Sequence, residues 1–168
     1  ASVVTVEIKN GGITYIRVTD NGSGISEEDV PTAFLRHATS KLSNSEDLNN
    51  IMTLGFRGEA LASISAISRV EVLTKVASEK YGTHYVIEGT EEKLLEKSGC
   101  PDGTTIIIRD IFYNVPARLK FLKKDVVEGN AIASIVNKIA LSHPEVSVKF
   151  IRENRQELFT PGDGDLYS

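Results

Sequence analysis

The feature that most constrains the fold of this chain is a pair of strand-like runs on either side of an Asn-Gly-Gly tripeptide at residues 10–12. Apolar and polar residues alternate at 4–8, and apolar residues recur at 13–18. Alternation puts every second side chain on one face of a strand, and Asn and Gly tolerate the positive φ of a tight turn. The chain is therefore predicted to begin with a β-hairpin.

The order of the remaining patterns favours an α+β fold. Helical periodicity occurs at residues 30–35, 59–67 and 131–141, and strand patterns occur at 69–75, 83–88, 104–109 and 146–151, with a weaker one at 93–97. The strands come mostly in consecutive runs, without the strict strand–helix alternation of doubly wound folds. We therefore expect a two-layer α/β sandwich with a mixed, mainly antiparallel sheet covered by helices on one face.

Composition excludes several classes of protein. A length of 168 residues suits one domain, and no apolar run reaches the roughly 18 residues of a membrane helix, so no membrane partner is expected. Cys100 is the only cysteine, which rules out an internal disulfide and suggests a reducing compartment. The net charge of −4 disfavours a nucleic-acid binder that uses its whole surface, so any such contact must be local.

The common nucleotide and metal motifs do not occur. The sequence has no G-x-x-x-x-G-K-[ST], and its GSGISE segment lacks the third glycine of a dinucleotide fingerprint. There is no H-E-x-x-H, no cysteine pair and no group of histidines, so no metal site is predicted within this chain.

A different arrangement of residues points to a nucleotide. Asp20 ends a predicted strand, where its carboxylate is suited to accept hydrogen bonds from an exocyclic amine such as adenine N6. Gly22 and Gly24 follow it and would let the backbone approach a flat ring, because they have no Cβ. Taken alone, this DNGSG segment is more often a simple turn. Its neighbours along the chain decide between the two interpretations.

The second part of this arrangement is suited to phosphate. Gly55 and Gly58 precede a helix that is predicted to start near Glu59, and the free N–H groups of a helix start bind phosphate oxygens. A long polar segment lies between the two sites. It carries three potential phosphate donors, Thr39, Ser40 and Lys41. Lys41 alone would be interpreted as a solvated surface lysine.

Three longer strings accompany these residues in order: RHATSK at 36–41, LGFRGEALASI at 54–64 and FYNVPARLKFL at 112–122. With DNGSG and the Gly-Thr-Thr at 103–105, they resemble the GHKL ATPases, the superfamily of gyrase B, the large heat-shock ATPase chaperones and sensor histidine kinases. Within it they resemble the MutL-type DNA mismatch-repair ATPases, bacterial members in particular. The resemblance covers residues 3–158, and a DxGxG alone would be weak evidence for it.

The resemblance implies roles at matching positions. Asp20 corresponds to the adenine-contacting acid, Gly22 and Gly24 to its backbone partners, and Thr104 to the threonine that supports the acid. The ATP lid, at about 36–55, contains Thr39, Ser40 and Lys41. The phosphate-binding loop and helix start are matched by Phe56, Arg57, Gly58, Glu59, Ala60 and Leu61.

The implied function is ATP binding and slow hydrolysis with Mg²⁺. These steps would be coupled to lid ordering, to N-terminal dimerisation and to signalling toward mismatch-recognition and strand-processing proteins in the bacterial cytoplasm. Residues 1–158 would form the ATP-binding subdomain and 159–168 a linker to a following domain. The alternatives are a non-hydrolysing nucleotide-binding or scaffold module, and another GHKL ATPase of topoisomerase or chaperone type. The first and third long strings disfavour the latter.

One departure from the family pattern concerns catalysis. In the family, a helix before the first strand supplies the glutamate that activates water and the asparagine that binds Mg²⁺. This chain has no initiator Met, and it begins at Ala1, inside a strand pattern and just after the place where that motif should end. The catalytic base therefore has no match here. We expect a fragment with little or no ATPase activity of its own.

A dense basic patch follows the third long string and consists of Arg118, Lys120, Lys123 and Lys124. Such a run is usually only a solvated surface. In the context of this family, the hypothesis is a weak, local contact with the DNA backbone.

Overall fold

The computed structural model describes residues 1–35 and 60–164. In these ranges, eight strands form one sheet in the order β5-β4-β3-β6-β2-β1-β7-β8. Their bounds are β1 Val3–Lys9, β2 Tyr15–Asp20, β3 Arg69–Lys75, β4 Gly82–Glu88, β5 Glu91–Ser98, β6 Gly103–Arg109, β7 Ser147–Arg152 and β8 Arg155–Phe159. Neighbouring strands are antiparallel except β1 and β7, which are parallel. The expectation of a mixed, mainly antiparallel sheet is confirmed.

The helices of the described part are α1 Asp29–Ala33, α2 Ala60–Ala66, α3 Pro116–Leu119 and α4 Asp125–Ser142. No helix in the described ranges is long and apolar enough to cross a membrane.

The predicted hairpin is formed by β1 and β2, which pair in register from Val4↔Asp20 to Lys9↔Tyr15. The turn between them is a short 3-10 segment, Asn10–Gly12, in which all three residues have positive φ. A Cβ at Gly11 would lie 2.8 Å from the Cα of Asp125. Glycine therefore makes the turn possible and also lets the start of α4 pack against it.

One half of the sheet is covered by α4. Val136 and Ala140 of this helix pack against Ile8, Val148 and Phe150 of the sheet, and all five are less than 7 % exposed. The other half is covered by α1 and α2. There Val30 and Phe34 pack with buried residues of β3 and β4. Ile8, Ile16, Ile108 and Val70 are register partners across four strands, so both clusters lie on the same face of the sheet. The two-layer sandwich is confirmed.

Three elements differ from the sequence expectation, and one of them is the four-residue helix α3, which no predicted helix covers. α4 begins at Asp125, whereas the sequence pattern predicts a start at 131. The first turns were not predicted because they leave Val126 and Val127 exposed and carry no apolar stripe. β8 was not predicted, since only Leu158 in it is even partly buried. Edge strands lack the alternation that identifies half-buried strands.

The face of the sheet opposite the helices carries ion pairs. The carboxylate of Glu71 lies 3.0 Å from Nη1 of Arg109 and 2.6 Å from Nε2 of His84, and Arg17 pairs with Glu7 at 3.0 Å. Partial burial acts to raise the pKa of Glu71, but hydrogen bonds from Arg109 and His84 outweigh it and hold this pKa below its ordinary value.

The lowered pKa predicts how the stability depends on pH. The folded pKa of Glu71 lies below the unfolded value, so its contribution is present above the unfolded pKa and is lost as the pH falls through the folded one. Glu71→Gln should lower the free energy of unfolding by about 1 kcal/mol at pH 7. The difference should shrink below about pH 4. Urea unfolding at pH 7 and pH 3 measures both values.

Glu27→Gln is the matched control, since Glu27 is exposed and forms no ion pair with the described residues. Its effect should be small at both pH values. An equal penalty for Glu71→Gln at pH 7 and pH 3 would contradict the pKa assignment.

Candidate nucleotide-binding site

The candidate site lies where β2 and β6 meet. Asp20 is the last residue of β2 and the register partner of Thr104, which is near the start of β6. Register partners share a face, and the cross-strand row of Asp20 and Thr104 lies on the helix-covered side of the sheet. Oδ1 of Asp20 accepts a hydrogen bond from the backbone N–H of Gly22 at 2.8 Å. Its other oxygen accepts no hydrogen bond from the described residues and is available to a ligand.

Thr74 of β3 extends this row and was not singled out by the sequence. Its side chain is completely buried. Its hydroxyl oxygen accepts the N–H of Ile25 at 2.9 Å, lies 3.0 Å from the carbonyl of Gly103 and lies 2.8 Å from the hydroxyl of Thr104. The only signal in the sequence was a threonine where the alternation of β3 calls for an apolar residue.

The other hydrogen bonds of Thr74 indicate which hydroxyl donates in the bond between Thr74 and Thr104. Thr74 has one hydroxyl proton, and the carbonyl of Gly103 can only accept. If that proton goes to Gly103, the hydroxyl of Thr104 donates to Thr74 and each polar group that contacts the Thr74 hydroxyl is satisfied. The oxygen of Thr104 then keeps lone pairs that no described residue occupies. Asp20 and Thr104 thus present two acceptors side by side.

The glycines of this region have packing roles of their own. Gly24 has φ 78°, and a Cβ there would collide with the carbonyl oxygen of Lys75 on β3. Gly103 has φ 117°, and a Cβ there would lie 3.0 Å from the Cα of Asn21. A Cβ at Gly22 would come within 2.9 Å of Oδ1 of Asp20. The DNGSG segment therefore bends the backbone tightly and, at the same time, supports the carboxylate of Asp20 at one of its oxygens.

Of the predicted site residues, the structure brings Asp20, Gly22 and Gly24 together with Thr104. Ala60 and Leu61 form the start of α2, and Leu61 packs in the same apolar cluster as Ile25. The other predicted nucleotide contacts lie outside the described residues, namely Thr39, Ser40, Lys41, Phe56, Arg57, Gly58 and Glu59.

The basic patch lies away from these residues. Thr104 is near the start of β6, whereas Arg118, Lys120, Lys123 and Lys124 follow the other end of that strand, on α3 and the link to α4. All four side chains are exposed. Residues 1–35 and 60–164 contain no group of three or more His, Cys, Asp or Glu that could hold a metal ion.

Residues 1–98 match the family model described as histidine kinase-, DNA gyrase B- and HSP90-like ATPase. The matched range includes Asp20 and the turn that supports it. The chain belongs to this ATPase family. Its fold is accordingly an ATP-binding fold.

Within this ATPase family, the chain resembles MutL proteins over almost its whole length. It is 56% identical over 165 residues to the DNA mismatch repair protein MutL of Agathobacter rectalis, covering 98% of this chain and 26% of that protein. The MutL of Caldanaerobacter subterraneus subsp. tengcongensis is 48% identical, with coverage of 97% and 28%. The chain thus spans about a quarter of the length of these curated relatives.

A solved structure agrees in fold. The ATPase domain of Aquifex aeolicus MutL, complexed with ADP, superimposes with a TM-score of 0.75 at 31% identity, covering 99% of this chain and 58% of that one. The α+β GHKL fold class and the resemblance to MutL are confirmed.

The buried hydroxyl of Thr74 leads to a stability prediction. Thr74→Val keeps the shape but leaves the N–H of Ile25 and the carbonyl of Gly103 without this partner, so it should cost about 1–3 kcal/mol of unfolding free energy. Thr74→Ser keeps the hydroxyl and is the matched control. Urea unfolding compares the two variants. A valine variant at least as stable as the serine variant would contradict the network.

Proposed function

We propose that this chain is the adenine-nucleotide-binding module of a MutL-type DNA mismatch-repair ATPase. The observation that carries the proposal is the pair of acceptors formed by Asp20 and Thr104 at the meeting of β2 and β6. The exocyclic N6 amine of adenine is a donor, whereas guanine has an acceptor, O6, at the equivalent position. Two acceptors side by side therefore favour ATP and ADP over their guanine counterparts.

The phosphates would be bound by residues beyond this pair. We assign them to the lid residues Thr39, Ser40 and Lys41 and to the loop and helix start at Phe56, Arg57, Gly58, Glu59, Ala60 and Leu61, following the family resemblance. Mg²⁺ would neutralise phosphate charge in the complete site. The family resemblance matches its metal-binding asparagine to no residue of this chain, so we assign none of the described residues to the ion.

In the complete protein, ATP would order the lid at about 36–55 and drive the association of two N-terminal domains. Coupling a γ-phosphate to the ordering of a segment is a recurrent switch. The output would be a signal to mismatch-recognition and strand-processing proteins in the bacterial cytoplasm, and slow hydrolysis would reset it. Residues 1–158 would be the ATP-binding unit and 159–168 the link onward. The similarity to MutL supports this proposal.

We also propose that the basic residues Arg118, Lys120, Lys123 and Lys124 contact DNA locally. Their exposure and their distance along β6 from the acceptor pair support a contact separate from the nucleotide. A few lysine–phosphate contacts give weak, salt-sensitive binding without sequence preference. Weak binding of this kind is compatible with the overall charge of −4.

The acceptor pair is tested by Asp20→Asn. The amide can present an N–H toward the adenine amine, which also donates, and it removes a charged acceptor. ATP affinity, measured by calorimetric titration, should fall at least tenfold. Unaltered protein should prefer ATP to GTP.

Asp29→Asn is the control, because Asp29 is an exposed acid on α1. It should bind ATP as the unaltered protein does. Equal affinity of the Asp20 variant, or no binding of ATP at millimolar concentration, would refute the site.

Hydrolysis is predicted to be slow in this chain alone. The family resemblance assigns the water-activating glutamate to no residue of the chain. Asp20 and Thr104 would bind the adenine ring but would not activate water. Bound ATP should therefore remain intact, with phosphate release close to the uncatalysed background. A phosphate-release assay with and without EDTA measures this. A Mg²⁺-dependent steady-state rate that EDTA abolishes would contradict the expectation.

A further inference from the structure

Phe121 is the most exposed large hydrophobic side chain of the described part of the chain, at 86 %. It lies in the link between α3 and α4. The backbone of this link is held by hydrogen bonds, from the N–H of Phe121 to the carbonyl of Arg118 at 3.1 Å and from Leu122 to Leu119 at 3.3 Å. The next residue, Leu122, is partly buried and anchors the link. The ring is thus presented to solvent by an ordered backbone.

The ring is surrounded in sequence by unpaired positive charge. From Pro116 to Lys124 the sequence contains four cations and no acid. None of the four forms an ion pair with a carboxylate of the described residues, and Arg118 instead lies 5.9 Å from the centre of the Phe112 ring. On the open face of the sheet, by contrast, Arg17 and Arg109 are each paired with a glutamate. The link therefore concentrates positive charge in an acidic chain.

We propose that Phe121 is a stacking platform for the bases of single-stranded DNA, whose phosphates are bound by the basic patch. Exposed aromatic rings between cationic side chains are how proteins bind single strands without sequence preference, since every base has a π-face. Bases inside a duplex already stack on each other and leave no free face for the ring. The proposal rests on the DNA contact proposed above and names the form of DNA and the residue that selects it.

The chemistry around the ring favours DNA over a protein partner. The buried centre of a protein interface is depleted in charged residues, lysine above all, and is a continuous apolar patch. Leu119, Val126 and Val127 are also exposed near Phe121 in sequence, but three lysines come between them and the ring, namely Lys120, Lys123 and Lys124. A polyanion with flat apolar groups matches both properties of this surface.

The absence of tryptophan from the sequence allows a direct test. Phe121→Trp places the chain's only tryptophan, which can be excited selectively over its five tyrosines, at the proposed platform. Titration of the 168-residue chain with dodecathymidylate should quench its emission strongly. Phe159→Trp is the matched control, because Phe159 is also exposed, at 57 %, and lies on β8 outside the basic patch. Its emission should stay nearly constant.

A second pair of variants separates stacking from charge. Phe121→Leu keeps an apolar side chain but removes the ring, and it should weaken binding of dodecathymidylate about tenfold with an unchanged salt slope. The double variant Lys123→Ala and Lys124→Ala should instead lower the magnitude of the slope of log K against log salt by about 1.4, at about 0.7 for each phosphate contact. Duplex DNA of the same length should bind more weakly and should not respond to Phe121→Leu.

The outcomes distinguish this inference from the function on which it rests. If the lysine variant changes the salt slope while both Phe121 variants behave like their controls, the stacking platform is refuted and the DNA contact stands. If no form of the chain binds DNA at low salt, both fail. A Phe121→Trp emission that shifts with protein concentration in the absence of DNA indicates burial against a second copy and overturns the platform. Circular dichroism confirms that each variant is folded.

Discussion

The pairing of β2 with β6 joins the two halves of the molecule. On one side of it lie β1, β7 and β8 with α4, and on the other lie β3, β4 and β5 with α1 and α2. Each half has its own buried cluster, so the register of this strand pair decides whether the two apolar surfaces lie on one face. The same register puts Asp20 beside Thr104. A slip by one residue would separate the acceptors and turn the apolar side chains of β2 to the open face.

The sequence predicted an element correctly where a pattern of neighbouring residues was enough to determine it. The alternation of β1 and β2 and the Asn-Gly-Gly turn required no knowledge of the rest of the chain, and the structure has both. Asp20 was singled out together with its neighbours along the chain, and its assignment to a nucleotide stays a prediction. The strand order and the parallel pairing of β1 with β7 depend on contacts distant in sequence, and no local pattern contains them.

Thr74 shows why part of the candidate site was not predicted. A threonine in a strand is ordinary, because threonine is β-branched and is common in sheets. Its role appears only when β3 lies beside β6 and the hydroxyl meets a carbonyl, an N–H and a second hydroxyl. The exposed start of α4 and the edge strand β8 were missed for the opposite reason. They bury little, so they carry almost no apolar periodicity.

The turn and ligand interpretations of the DNGSG segment are compatible, because the tight backbone path and the proposed acceptor belong to the same residues. Gly24 has a positive φ and passes the backbone of β3 too closely for any side chain. The tight path that results brings the N–H of Gly22 to one oxygen of Asp20. A carboxylate held by one oxygen is oriented before any ligand arrives, so binding at the other oxygen loses less conformational entropy. In the proposed site, the glycines would therefore contribute to recognition through the rigidity of the turn, even where they touch only the protein itself.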